Sequence, residues 1–301
     1  MQRKFSLAAS VGALLLLPIL IVLAADRLRG MPSRQPLPER VAGVRFEALA
    51  VAGTAGAWTV TVDDPRFGGV SALAVDGSRL LALTDSGVVV SLPKPGRGAW
   101  ARLRDLPDGP GSPHERRWRD SEALVRDRSG SWWVAFENRH SLWRYDPGFA
   151  RAEAAFGLRR RGWALNKGVE AMVSDGSDAL LLLPETGTEL LRVGRRGGRR
   201  SRLGGVPGEV ADAARLPDGR VLLLVRQVGF AGLVNQLGEL SFGRDGGGQV
   251  RLLRRIPVGP LTNLEGIAVE PLPAGKTRLW LISDNDFSDL RRTVLLAVDL
   301  P

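Results

Sequence analysis

From about residue 41 onward, apolar residues come in short runs broken by Gly, Pro, Asp or Asn. No stretch sustains a 3.6-residue period, so the pattern predicts strands and turns rather than helices. The runs also recur as longer units. "GVSALAVDGSRLLALTDSGVVVSL" opens at Gly69, and "DSEALVRDRSGSWWVAFENRHSLWRYD" opens at Asp120. "GVEAMVSDGSDALLLLPETGTELLRV" opens at Gly168, "VADAARLPDGRVLLLVRQVGF" at Val210, and "NLEGIAVEPLPAGKTRLWLISDNDFSDLRRTVLLAVDL" at Asn263. Aligned on the second residue of each apolar opening, the anchors are Ser71, Glu122, Glu170, Asp212 and Glu265, spaced by 51, 48, 42 and 53 residues.

Each unit holds four strand-length runs; in the second they are residues 123–126, 132–137, 142–145 and 152–156. A repeat of this length with four strands predicts an all-β fold, a β-propeller. Five openings predict five blades, or six if the N-terminal segment forms part of a degenerate blade. The last unit stops after its third strand, at Leu300. "VRFEALAV", from Val44, is expected to supply the fourth strand and close the ring, which leaves "AWTVTVDD" over.

The first residues stand apart. Arg3 and Lys4 precede an apolar run from Phe5 to Ala25, followed by Asp26, Arg27 and Arg29. This predicts a signal peptide or membrane anchor over residues 1–25. The proline-rich residues 26–43 read as a linker, and residues 44–301 as the propeller. The expected location is the periplasm or the outer side of the inner membrane, with any membrane contact made through the N-terminal segment and the chain acting as a monomer.

Composition narrows the chemistry. The 301-residue chain has no cysteine, which excludes disulfides, thiolate metal sites and thiol nucleophiles. Only His114 and His140 are present, too few for a multi-histidine zinc site. The formal net charge of +10 comes from scattered arginines with few aromatics among them. No nucleic-acid motif appears, and nucleic acid is not an expected partner.

In a blade the first strand lines the central channel and the second runs back beside it. A carboxylate opening strand one therefore meets one closing strand two. Glu122 is followed by Glu137 and Glu170 by Glu185, both after 15 residues. Ser71 is followed by Asp85 after 14 residues, and Glu265 by Asp284 after 19. In the fourth unit Arg226 stands opposite Asp212. Asp85, Glu122, Glu137, Glu170, Glu185, Asp212, Glu265 and Asp284 are thus candidate metal ligands at one end of one channel, flanked by Asp120, Asn138, Asn166, Asn263 and Asn285. Crowded carboxylates raise one another's pKa unless cations neutralise them, and hard oxygen ligands suit Ca2+ or Mg2+.

Arg117, Arg119, Arg139, His140, Arg160, Arg161, Lys167, Arg291 and Arg292 lie in connections at the same end. An acidic centre with a basic rim fits metal-assisted chemistry on an anionic small molecule, a phosphate ester above all. The competing reading is that inner-strand acids bond backbone amides of the next blade. The run "RVGRRGGRRSRLGG" from Arg192 reads as a solvated hairpin at the opposite end. Trp132, Trp133, Trp143 and Trp280 read as packing between blades.

"FGGVSAL" at Phe67, "DSEALVRDRSGSWWVAFE" at Asp120, "NKGVEAM" at Asn166, "ARLPDGRVLLLVRQVGF" at Ala214, "NLEGIAV" at Asn263 and "LISDNDFSDLRRTVLLAVDL" at Leu281 together resemble the phytase-like propeller family, described by the esterase-like activity of phytase. The resemblance covers nearly the whole domain. It implies a hydrolytic, phosphodiesterase-like site on Glu122, Glu137, Glu170, Glu185, Glu265 and Asp284. The chain departs from the family's pattern at Arg226, where an acid is usual, and at Asp284-Asn285-Asp286, where Asp-Asp-Asn is usual. The expected function is an exported, divalent-metal-dependent hydrolase of phosphate esters. Its expected catalytic residues are Glu122, Glu170 and Glu265, with Lys167, Arg139 or Arg226 stabilising developing charge. A lactonase or carboxylesterase of the calcium-propeller type, or a non-catalytic envelope-binding propeller, stands as the alternative.

Overall fold

The computed structural model describes residues 37–112, 116–158, 163–164, 167–176, 179–194, 197–288 and 290–300. The described residues form 21 strands and two short 3-10 turns, with no α-helix. Two strands, β1 (Arg40–Ala48) and β2 (Gly56–Val62), precede the repeats. The first unit is β3 (Val70–Asp76), β4 (Arg79–Thr84), β5 (Val88–Pro93) and β6 (Trp100–Asp105). The second is β7 (Ser121–Arg126), β8 (Trp132–Phe136), β9 (Ser141–Tyr145) and β10 (Ala152–Gly157). The third is β11 (Val169–Asp175), β12 (Ala179–Pro184), β13 (Glu189–Gly194) and β14 (Gly197–Gly204). The fourth is β15 (Glu209–Arg215), β16 (Val221–Gly229), β17 (Gly232–Phe242) and β18 (Gly248–Ile256). The last comprises β19 (Asn263–Pro271), β20 (Thr277–Asp284) and β21 (Thr293–Leu300).

Within each unit the strands pair antiparallel in chain order. The fourth strand of the last unit is β2, which pairs with β21 from Gly56↔Ala297 to Val60↔Thr293. This corrects the expected closure: "AWTVTVDD" completes the unit, and "VRFEALAV" lies outside it. β1 pairs with β2 on one side and with β6 of the first unit on the other. The reason lies in burial. Trp58, Val60 and Val62 pack into the apolar cluster that joins the first and last units, and β1 adds Ala42 and Val44 at its outer margin.

The core consists of five apolar clusters, each shared by two neighbouring units. Alternate residues of one strand serve opposite interfaces. Leu181 and Leu183 face the fourth unit, while Leu180 and Leu182 face the second. A strand buried on both faces needs no polar alternation, which is why "LLLLP" and "VLLLV" are continuous apolar runs. The first strands β3, β7, β11, β15 and β19 pack side by side in a ring, β19 against β3. Trp132 and Trp280 are buried at these interfaces, Trp132 stacked on Phe149 at 5.7 Å between centroids. The arginine-rich run forms the β13–β14 hairpin as expected, although Arg195 and Arg196 lie outside the described residues.

Candidate functional site

Every first strand carries a register shift near its start, between Val70 and Ala72, Ser121 and Ala123, Val169 and Ala171, Val210 and Asp212, and Leu264 and Gly266. The residue skipped is Ser71, Glu122, Glu170, Ala211 or Glu265. A bulge breaks the in-and-out alternation and re-aims the extra residue. The anchor acids therefore leave the blade interface and reach the channel, while their neighbours stay in the apolar core. The fourth anchor is corrected by one residue: Ala211, not Asp212, occupies the bulge, and it offers no ligand. Asp212 sits deeper, only 2% exposed, and accepts N–H groups of Ala213 at 2.7 Å and of Ile267 in the next unit at 2.8 Å. Here the competing role, a carboxylate that bonds backbone, is realised. Ser71 works similarly, donating its hydroxyl to the Ser121 carbonyl at 2.6 Å.

The residues closing the second strands fall opposite the residues preceding each bulge. Asp85 lies by Gly69, Glu137 by Asp120, and Glu185 by Gly168. Arg226 pairs with Glu209 and Asp284 with Asn263. Two of these positions must be glycine for space. A Cβ on Gly69 would stand 2.4 Å from Asp85 Oδ1, and one on Gly168 would stand 2.9 Å from Glu137 Cγ.

The acids divide into two electrostatic halves. In one, the buried Arg226 guanidinium donates to Glu209 at 3.0 Å, Glu185 at 3.2 Å and Glu265. Lys167 bridges Glu185 at 2.5 Å and Glu209 at 3.0 Å. The Asn263 side-chain amide donates an N–H to Glu265 at 2.6 Å. Arg226 and Lys167 hold Glu209 below its ordinary pKa against the opposing effect of burial. Glu265, Glu209 and Glu170 in turn lock Arg226 in its charged form.

The other half is different. Asp120, Glu122 and Glu137 place ligand oxygens within 4.8 Å of one another, and so do Glu137, Glu170 and Glu185. Among the described residues no cationic side chain pairs with Glu122, Glu137 or Glu170. Burial, followed by the charge of Glu170, raises Glu122 well above its usual pKa. Burial, then Glu185 and Glu137, does the same to Glu170. Burial and the neighbouring Asp120 and Glu185 push Glu137 up to about 8. Two like charges 4.8 Å apart repel by about 3.5 kcal/mol at an effective dielectric constant of ~20. The group therefore needs protons or a multivalent cation. Asp284, across the ring, is also raised well above normal, by burial and by Asp85, although it accepts the Asp286 N–H at 2.7 Å.

The expected basic rim is only partly assembled. Arg139 is exposed and stacks on Trp118 at 3.8 Å, with Arg117 over the same ring at 4.3 Å. Arg119 is buried beside Gly109 and Tyr145, not on the rim. Arg291 is bound to Asp286. His114, Arg160, Arg161 and Asn166 lie outside the described residues. Glu209 was missed from the sequence because the fourth unit was aligned one residue late. The 15-residue interval that links Glu122 to Glu137 and Glu170 to Glu185 also links Ala211 to Arg226, and it was the available signal.

Residues 65–287 match the phytase-like family described as "Esterase-like activity of phytase". The chain belongs to this family. The matched span runs from the approach to the first unit to Phe287, and so includes every acid of the channel. No curated protein sequence matches the chain. Among solved structures, glutaminyl cyclase of Myxococcus xanthus is similar with a TM-score of 0.51 and 14% identity, over 88% of this chain and 98% of that one. A catalytically inactive virginiamycin B lyase from Staphylococcus aureus, solved with quinupristin, gives 0.46 and 11% over 86% and 99%. A streptogramin B lyase gives 0.44 and 9% over 86% and 88%. At such identities the cyclase likeness shows the β-propeller fold and nothing about chemistry.

Proposed function

We propose that this phytase-like propeller is an exported hydrolase of phosphate esters that depends on a divalent cation. The observation that carries the reading is the convergence of Glu122, Glu137 and Glu170, which no cationic side chain pairs among the described residues, with Asp120 beside them and Glu185 at their border. The donor set consists of carboxylate oxygens alone, several of them raised in pKa, and it fits a hard cation such as Ca2+ or Mg2+. When bound, such an ion supplies positive charge to a phosphoryl oxygen and lowers the pKa of water.

The chain's own residues have separate tasks. Glu122, Glu137 and Glu170 hold the ion, and Glu185 is shared between it and Lys167. Lys167, with a side chain 36% exposed, is the cation of the channel that can meet an anionic substrate. Arg226, with a side chain 10% exposed and bound to three carboxylates, is a positioning residue that fixes Glu185, Glu209 and Glu265. Arg139, stacked at the rim, suits substrate capture better than stabilisation of reacting atoms. Export rests on Arg3, Lys4 and the apolar run after them.

Assay of the purified chain against phosphomonoesters, phosphodiesters and lactones, with and without Ca2+, Mg2+ and Mn2+, tests the proposal. Phosphate ester cleavage that requires a divalent ion and is lost in Glu170→Gln is expected. Lactone opening without phosphate chemistry would move the protein to the calcium-lactonase reading, and inactivity on all three classes would favour a binding propeller.

A further inference from the structure

The second and third strands of the fourth unit are longer than their counterparts. In the first three units the chain turns immediately after the channel residue, at Asp85, Glu137 and Glu185. After Arg226, β16 and β17 remain paired through Gln227↔Val234, Val228↔Leu233 and Gly229↔Gly232. At about 3.3 Å per residue the tip stands roughly 13 Å beyond Arg226, past the mouth of the channel. Hairpin tips in water are ordinarily polar. This one is Val228-Gly229-Phe230-Ala231-Gly232, with Phe230 83% and Val228 77% exposed. Leu261, 51% exposed, lies beside it, in the connection where the Pro260 carbonyl accepts the Leu233 N–H at 2.8 Å. Leu290, 71% exposed, follows Asp284 in the equivalent connection of the last unit. The three most exposed large apolar side chains among the described residues therefore all lie at the end of the ring that bears the carboxylates.

The chain enters the domain at the same end. Leu37 donates its N–H to Asp105, at the close of β6, at 2.9 Å. The Pro38 carbonyl accepts from Arg66, in the segment leading to Gly69 and Asp85, at 3.4 Å. Only residues 26–36 separate this point from the apolar run of residues 5–25. Fully extended, they span on the order of 40 Å. Exposed Arg117, Arg139 and Arg292 share this end.

From these placements we infer that the carboxylate-bearing face docks on an anionic phospholipid bilayer. Phe230, Val228 and Leu290 enter the interface, and the exposed arginines meet the headgroups. The channel mouth then opens toward the membrane surface. The inference rests on the placement of this face and is independent of the hydrolytic reading.

The absence of cysteine allows single labels. Phe230→Cys and, on the opposite end in the β15–β16 turn, Asp218→Cys are each labelled with an environment-sensitive fluorophore in the full chain. The labelled chains are reconstituted with vesicles of phosphatidylglycerol and phosphatidylcholine, with and without spin-labelled lipid. A blue shift and lipid quenching at position 230, absent at 218 and reduced when Val228→Asp and Leu290→Asp are added, is expected. All these positions are exposed, so folding is not at stake. A label at 230 unaffected by vesicles would overturn the inference, even if the N-terminal run holds the chain on the vesicle. A shift that follows protein concentration instead of lipid would also overturn it, and would make the face a protein interface.

Discussion

Charge bookkeeping around single side chains explains why neighbouring acids in one channel behave differently. Arg226 stands where other units carry Asp85, Glu137, Glu185 or Asp284, and it neutralises the acids around it. Arg226→Gln should lower stability by about 3–5 kcal/mol, the range for removing one partner of a buried ion pair; urea unfolding of both proteins measures it. Divalent ions should recover more of the loss in the variant than they add to the wild type. Asp212 has a structural task. Asp212→Ala leaves buried N–H groups of Ala213 and Ile267 unsatisfied and should cost roughly 1–3 kcal/mol per group, with the cation response unchanged. A variant that lost its cation response while keeping its stability would return Asp212 to the ligand set. The convergence of Glu122, Glu137 and Glu170 was legible in the sequence because acid, spacing and turn recur together. The role of Asp212 was not: only the 15-residue interval from Ala211 to Arg226 marks the shift, and the pairing register is what shows that Asp212 is a backbone acceptor instead of a channel acid.

Among the elements, the inner strands could be read directly, because their openings repeat and both faces are buried. The two strands before the repeats could not be ordered. Both "VRFEALAV" and "AWTVTVDD" have strand character, and either satisfies an open edge. Tertiary packing decides between them: Trp58, Val60 and Val62 meet the cluster behind β21, while β1 spans β2 and β6 at the periphery. A chain beginning after Gly53 should therefore still fold, with a lowered melting temperature, because it keeps β2. A chain beginning after Val62 should yield no soluble protein, because it leaves the outer edge of β21 unpaired and Trp280 without Trp58, 6.2 Å away. Equal melting of the full chain and the first truncation would show that β1 contributes nothing to closure. The long β16–β17 hairpin could be read only in part: "VRQVGFAGLV" looks like a strand running into a turn, and its projection past the ring appears only once its neighbours are seen to turn earlier.

For the whole molecule, the ring concentrates acids that the unfolded chain would hold apart. Glu137, raised to about 8 in the folded state, binds its proton more tightly there than in the unfolded chain. The folded state thus carries more protons between the ordinary glutamate pKa of about 4.3 and 8, and stability falls as pH rises through that window. In the presence of EDTA the melting temperature should decline from pH 5 to pH 8. Glu137→Gln, which removes the ionisable group, should flatten the slope.

A cation that binds only the folded ring raises stability by mass action. It acts most where the carboxylates are ionised. The most direct test is therefore the melting temperature of the full chain at pH 8, in EDTA and in millimolar Ca2+, Mg2+ or Mn2+, beside Glu137→Gln. At least one ion should raise the wild-type melting temperature in proportion to the logarithm of its concentration, with a much smaller rise in the variant. A wild type that melts identically in EDTA and in every divalent ion would contradict the metal site, and with it the hydrolytic role assigned to the channel.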